Sequence, residues 1–331
     1  MITGVMSSNQ RVNPFATTYT VQPGTVTTNA TPSASYTDGL VVVLRHVSDA
    51  DIMTANDVNG PYTDVQTTGF DPAGWVKYVN NRWFFRNAAV ATFGTMSTIT
   101  GAITTIAKDV RDIIWHSPSS SYLAVGDDGS GNGLYTTSTN GTTWTDRTDI
   151  FTGSRANFIA FDGTRTTVVG NDNKVVTSTS TTVPFTWSNV TTGLGATDDP
   201  KWIKYFPEKT TWIITTDNTD IIAYSTNGTT FSTVDLGFST GNIGQINIAW
   251  LPTMNRWLAV SQGSAVSTGR GRYVGISSTD SITSTFIKIV DDSYVDFMPN
   301  PNNSGNILNN FKNRYLFVSA TDNKLIYTRA G

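Results

Sequence analysis

An all-β fold is predicted by three features of the sequence. A unit of about 45 residues recurs along most of the chain, with equivalent positions at Trp75, Ile113, Phe158, Ile203, Ile248 and Val295. Within each unit, apolar runs of about five residues are bounded by Gly, Pro, Asn, Asp and Ser, the punctuation of strands. No segment carries a sustained helical stripe.

Taken in chain order, residues 1–37 stand apart. They are polar, rich in Thr and broken by Pro14, Pro23 and Pro32, the composition of an extended arm that is either held by a neighbour or laid along its own fold. Residues 38–331 hold the repeat. In the first, partial unit, residues 40–44, 51–54 and 62–66 read as strands. Five complete units follow. The one at 201–235 shows its first three strands as Trp202-Ile203-Lys204-Tyr205-Phe206, Thr211-Trp212-Ile213-Ile214-Thr215 and Ile221-Ile222-Ala223-Tyr224, and residues 111–148 are a close copy. In the last unit, 294–330, three strands are legible. Tandem four-stranded antiparallel units at this pitch predict a β-propeller, whose radial packing leaves only short, protected strand edges. The count gives seven blades, or six if the N-terminal segment completes the last blade.

Two units end in nearly the same turn, Ser138-Thr139-Asn140-Gly141-Thr142-Thr143-Trp144 and Ser225-Thr226-Asn227-Gly228-Thr229-Thr230-Phe231. Asn caps turn amides, Gly supplies the positive φ, hydroxyls satisfy nearby backbone groups, and the closing aromatic is placed to anchor the hairpin between sheets. The motif resembles the Asp-box, or BNR repeat, of sialidases, sortilin-like receptors and many phage-encoded propellers, shortened and with Asn where Asp is usual. Three weaker copies lie at Ser178-Thr179-Ser180 leading to Phe185-Thr186-Trp187, at Ser278-Thr279-Asp280-Ser281 leading to Phe286, and around Asn59-Gly60. The resemblance implies a structural hairpin and no particular chemistry.

Composition narrows the partners. Charged residues are 14% of the chain, the net charge is −3, and there is no basic stripe, so nucleic acid and anionic membrane are not expected ligands. There are no cysteines, hence no disulfide, thiolate metal site or thiol chemistry. The first residues lack the cationic and apolar regions of a signal peptide, and no apolar run has the length of a membrane helix.

Residues suited to catalysis are few. A sialidase would need three arginines around a carboxylate, a Tyr nucleophile paired with a Glu, and an Asp acid. The sole glutamate, Glu208, falls in the turn Phe206-Pro207-Glu208-Lys209, expected on the same face as the Asn-Gly turns and away from the face where sialidase sites sit. The pairs Asp127-Asp128, Asp198-Asp199 and Asp291-Asp292 are the obvious carboxylate clusters for two-acid glycoside hydrolysis and read better as solvated turn residues. His46 and His116 lie in or beside apolar runs with no triad or metal spacing around them. Asp127-Asp128-Gly129-Ser130-Gly131-Asn132-Gly133 concentrates oxygens that calcium could use, without EF-hand spacing, and reads as a glycine-rich connection. The expectation is therefore no catalytic residue, no metal, no cofactor and no enzyme.

The nine tryptophans recur at equivalent strand positions and read as core. What is singular is the set of loops opposite the Asn-Gly turns, at 126–133, 193–200, 237–244 and 262–273, together with an Asn-rich insertion at 299–313 on the turn side. Arg270, Arg272 and Tyr273, with Asp127 and Asp128, are the expected partner contacts. The functional expectation is a bacteriophage virion protein, of tail, fibre or capsid, present in several copies. It would dock on other virion proteins through the N-terminal arm and touch a host surface glycan or receptor. The alternatives are a carbohydrate-active hydrolase of sialidase-like fold and a photosystem-maturation factor, which would show a basic groove.

Overall fold

A computed structural model describes residues 75–86, 91–147, 150–195, 198–216, 219–238, 246–252, 254–261 and 274–290, and the backbone of strands at 20–21, 33–37, 40–45, 51–55, 63–67, 310–311, 314–319 and 324–329. The described residues form seven four-stranded antiparallel sheets, with no α-helix among them. β1 is the short strand Thr20–Val21. The first sheet is β2 (Ser33–Thr37), β3 (Leu40–Arg45), β4 (Asp51–Ala55) and β5 (Thr63–Thr67), and the second is β6 (Val76–Val79), β7 (Arg82–Arg86), β8 (Phe93–Met96) and β9 (Thr104–Ile106). The third is β10 (Asp109–His116), β11 (Ser121–Asp127), β12 (Gly133–Ser138) and β13 (Thr145–Asp146), and the fourth is β14 (Ala156–Phe161), β15 (Thr166–Gly170), β16 (Lys174–Ser178) and β17 (Ser188–Asn189). The fifth is β18 (Pro200–Phe206), β19 (Thr211–Thr216), β20 (Ile221–Ser225) and β21 (Ser232–Asp235), and the sixth is β22 (Ile246–Leu251), β23 (Arg256–Ser261), β24 (Val274–Ser277) and β25 (Phe286–Val290).

The seventh sheet takes strands from both ends of the chain. β26 (Asn310–Phe311), β27 (Arg314–Ser319) and β28 (Lys324–Arg329) run in order, and β1 pairs outside β28 with Thr20 opposite Tyr327 and Val21 opposite Ile326. The N-terminal segment read as an arm thus supplies β1 to the last sheet and β2 to the first. A complete N-terminal unit and a last unit closed by the other terminus, weighed as alternatives from the sequence, occur together. The expected first strand around Val295 and the 299–309 part of the Asn-rich insertion lie outside the described residues, as does His46.

Sheets pack through their first strands, β2 on β6, β6 on β10, β10 on β14 and β14 on β18, and β22 lies against β19. The apolar faces between them are filled by the recurrent aromatics. Trp75, Trp212 and Trp257 are fully enclosed, and Phe206 meets Trp257 edge-on at 5.0 Å across the fifth and sixth sheets. One charged group is built into this packing. Asp112 of β10, 2% exposed, accepts from Lys77 Nζ of β6 at 2.5 Å and from the Ile159 amide of β14 at 3.1 Å, so a single carboxylate ties three sheets.

The Asn-Gly turns form as the residue types dictate. Asn140 Oδ1 accepts the amides of Thr142 and Thr143, each at 2.9 Å, and Asn227 Oδ1 those of Thr229 and Thr230 at the same distance. Ser138 and Ser225 Oγ accept the Gly141 and Gly228 amides, and both glycines have φ near +70°. Trp144 lies edge-on to Phe93 of the second sheet at 5.3 Å, while Phe231 is 7% exposed in the core around the fifth sheet. Lys209, from a first-to-second-strand turn, pairs with Asp280 of the sixth sheet's third-to-fourth-strand turn at 3.0 Å. Those two kinds of turn therefore share one face, here called the turn face, and Glu208 sits on it. His116 is 1% exposed. Its Nδ1 meets Ser119 Oγ at 2.7 Å, and burial lowers its pKa, as for a structural imidazole.

Candidate functional site

The opposite face, made by second-to-third-strand turns and the linkers between sheets, carries a polar arc that the sequence reading missed. Its origin is a backbone irregularity. Pairing of β10 with β11 slips between Val110 and Asp112, that of β14 with β15 between Ala156 and Phe158, and that of β18 with β19 between Pro200 and Trp202. Each slip is a β-bulge at the loop-face end of a first strand, and a bulge turns its extra residue out of the alternation. The extra residues are Arg111, Asn157 and Lys201, in three consecutive sheets. β6 and β22 pair with their neighbours without such a break.

Two glycines make room for the bulges. A Cβ on Gly126, opposite Val110, would lie 1.8 Å from the Asp109 carbonyl oxygen, and one on Gly170, opposite Ala156, 2.6 Å from the Arg155 carbonyl oxygen. Glycine at the end of a second strand was thus the available signal for the bulge. It was read as ordinary loop punctuation.

The arc has two joined parts. On the side of the fourth and fifth sheets, Asn157 Nδ2 donates to Asn171 Oδ1 at 2.9 Å and to the Pro200 carbonyl at 3.0 Å. Lys201 Nζ reaches Asn171 Oδ1 at 3.1 Å and Asp199 Oδ2 at 3.3 Å, and Asp199 Oδ1 accepts the Asp172 amide at 2.8 Å. On the side of the second and third sheets, Arg86 donates from Nε and Nη2 to Asp109 Oδ1 at 3.3 and 3.0 Å, and Arg111 Nη2 stands 3.9 Å from Asp109 Oδ2. Arg155 comes from the linker before β14. Burial first, then the charge of Arg155 and, more weakly, of Arg86, against the opposing pull of Asp109, bring the Arg111 guanidinium down to about 10. Two guanidiniums, of Arg86 and Arg111, therefore share Asp109, and the charge of Arg155 is felt at Arg111.

The sequence-predicted contacts fall differently. Asp127 Oδ1 accepts the amides of Gly129 at 2.8 Å and Gly131 at 3.3 Å. Asp128 Oδ1 accepts those of Ser130 at 2.7 Å and Asn132 at 2.9 Å, while its Oδ2 takes the Asn132 side-chain amide at 2.8 Å. These bonds hold the Asp128 carboxyl below its ordinary range and tie Asp127 Oδ1 and both Asp128 oxygens to the loop's own amides. Asp198, 6% exposed, caps the Gly195 amide at 2.8 Å. Arg270, Arg272, Tyr273 and the pair Asp291-Asp292 lie outside the described residues. Among the described residues, no three His, Asp or Glu side chains gather as a metal site. Of the sialidase set, two arginines, Arg86 and Arg111, flank a carboxylate, but it is the chain's own Asp109, and Glu208 is on the other face. A groove of about 380 Å³ on the turn face, between the fourth and fifth sheets, is walled by hydroxyls such as Thr177, Ser178, Thr186 and Thr229, with Arg165.

Neither a protein-family model nor a curated protein matches the sequence. Solved structures match the fold. Virginiamycin B lyase from Staphylococcus aureus, as its selenomethionine form, is 11% identical at a TM-score of 0.68, over 94% of this chain and 99% of its own. A streptogramin B lyase is 12% identical at 0.67, over 94% and 96%. YCF48 bound to a D1 peptide is 14% identical at 0.62, over 96% of each chain. At these identities the likeness shows the fold, that of a β-propeller. It also corrects one expectation. The Staphylococcus aureus lyase, also solved as a catalytically inactive variant with quinupristin, is an enzyme on this architecture, so reading the chain as no enzyme does not stand.

Proposed function

We propose that this chain is a recognition propeller, seven blades closed into a ring, that binds a partner on its loop face. The observation that carries the reading is the bulge-borne arc of Arg111, Asn157 and Lys201. Bulges at one end of three consecutive first strands take these residues out of the alternation, as bulges that re-aim functional groups commonly do, with Arg111 and Lys201 part-exposed and Asn157 buried by its bonds to Asn171 and Pro200. Ring closure is supported by β1 beside β28 and by two lysines on distant first strands. Lys77 of β6 lies close enough to Lys204 of β18 to depress its ammonium, after the larger effect of the surrounding protein walls and against Glu208. Solvent reaches Lys204 despite those walls, as it would in a central channel. YCF48, of the same fold, was solved with a peptide bound, which makes a peptide segment a reasonable class of partner.

The setting we propose is a bacteriophage virion, with the propeller attached in several copies through residues 1–37 and the loop face turned to a host glycan or receptor. The Cys-free, hydroxyl-rich composition and the Asn-Gly turns support it. Electron cryo-microscopy of particles purified from the source tests it. The expected result is density for the ring with its N-terminal segment on the particle and the arc outward, and particles that lack the chain reject it. Because enzymes occupy the same fold, captured partner is also checked for altered mass. Turnover would move the chain from binder to enzyme.

A further inference from the structure

We propose that Arg111 and Arg155, backed by Arg86, form a binding site for a multiply charged oxyanion, a phosphate or carboxylate group of the ligand that the loop face takes. The inference rests on the recognition reading and names the chemistry of its contact.

The argument is one of uncompensated charge. The Arg86 and Arg111 guanidiniums flank Asp109, and Arg155, from the linker to the fourth sheet that packs on the third, is near enough for its charge to be felt at Arg111. Arg86 takes one oxygen of Asp109 through two donors, leaving Arg111 a loose pairing at 3.9 Å. Asp127, the next carboxylate felt by Arg111, spends its bonded oxygen on the amides of Gly129 and Gly131. Among the described residues, Arg155 has no carboxylate partner. The Nε atoms of Arg111 and Arg155 are both buried and have no hydrogen-bond acceptor. Holding like charges together in a part-buried place is costly, and a fold that keeps such an arrangement at the loop-face end of its sheets holds it for a counter-charge from outside. The side-chain type fits as well. A planar fork with paired donors matches the two-oxygen edge of phosphate or carboxylate, which the point charge of lysine does not. Since both Nε atoms are enclosed, the ligand would be met by the terminal Nη groups.

The test is calorimetric titration of the full chain with inorganic phosphate and, separately, with citrate, at ionic strength fixed with sodium chloride. Saturable binding of at least one probe is expected, weakened about tenfold or more in Arg155→Gln and unchanged in Arg165→Gln on the turn face. Phosphate alone assigns a phosphorylated ligand, and citrate alone a carboxylated one. If Arg155→Gln unfolds, Arg155→Lys keeps the charge and loses the fork, and the same weakening is expected. No saturable binding of either probe, or equal binding by the Arg155 variants, overturns the site. Failure here with the arc still outward on particles leaves the recognition reading standing. Oxyanion binding by a ring whose loop face is buried against the particle overturns that reading and keeps the site.

Discussion

Asn140 shows how much one side-chain oxygen can organise. Two backbone amides and the Ser138 hydroxyl converge on Oδ1, and Asn227 repeats the pattern with Ser225, Thr229 and Thr230. A carboxylate keeps that oxygen and makes the same bonds charge-assisted. Asn140→Asp is therefore expected to leave stability unchanged or raise it by about 0.5 kcal/mol, whereas Asn140→Ala, which strands two amides, should cost about 1–2 kcal/mol. Urea unfolding of the two variants checks the pair, and an Asp variant as damaged as the Ala variant would refute the account. Gly141 answers to a different constraint. Its φ is +75°, and an added Cβ would lie 2.5 Å from Arg82 Cδ of the preceding sheet. Arg82 can swing away, so Gly141→Ala is expected to cost about 1–2 kcal/mol, chiefly through the backbone, in the same unfolding assay.

Among elements, first strands carry both the strongest ties and the site, and Asp112 joins three of them. Burial raises its pKa above the ordinary 3.8, while Lys77 and two backbone amides pull it back. A folded-state value above the unfolded one means that the folded chain holds the proton longer as pH rises. Stability should then fall with rising pH between about 3.8 and the raised value. Asp112→Asn removes that slope and, because the neutral side chain is the form the raised pKa favours, costs no more than about 1 kcal/mol near neutral pH. Melts of parent and variant across that range test both statements. The strands themselves were legible. Residues 40–44, 51–54 and 62–66 match β3, β4 and β5 within a residue or so, because alternation and turn residues are local signals. The bulges were not. Inserting Arg111, Asn157 or Lys201 shifts pairing with a strand about ten residues away while leaving the apolar run intact; the partner's glycine betrays the first two, while Thr216 opposite Pro200 leaves the third without such a mark. Gly126→Ala should accordingly push β10 off β11 at Asp109, costing about 3 kcal/mol, and displace Arg111. Loss of oxyanion binding in a variant that still folds would show the bulge and the site to be one device.

At the scale of the molecule, strands from the two ends of the chain meet in one sheet, so the proposed ring would close through residues that the composition marks as an arm. The sequence could not place β1, since a two-residue strand has no periodicity to detect and its partner lies some 300 residues away in the chain. Pairing across that separation matters beyond its few hydrogen bonds. β1 is the outermost strand of the last sheet, and without it β28 presents an open edge to other chains. A chain lacking residues 1–24 is expected to melt about 5 °C lower and to associate as its concentration rises. Proline scanning makes the prediction sharper. In an edge strand, alternate amides point to the neighbour and to solvent, so of Thr20→Pro and Val21→Pro one should reproduce the truncation and the other should be nearly silent. Scanning calorimetry with sedimentation velocity reads both effects. Equal melting of the truncated and full chains, without association, would mean that β1 does not lock the ring, and the seven-bladed closure would lose its main support.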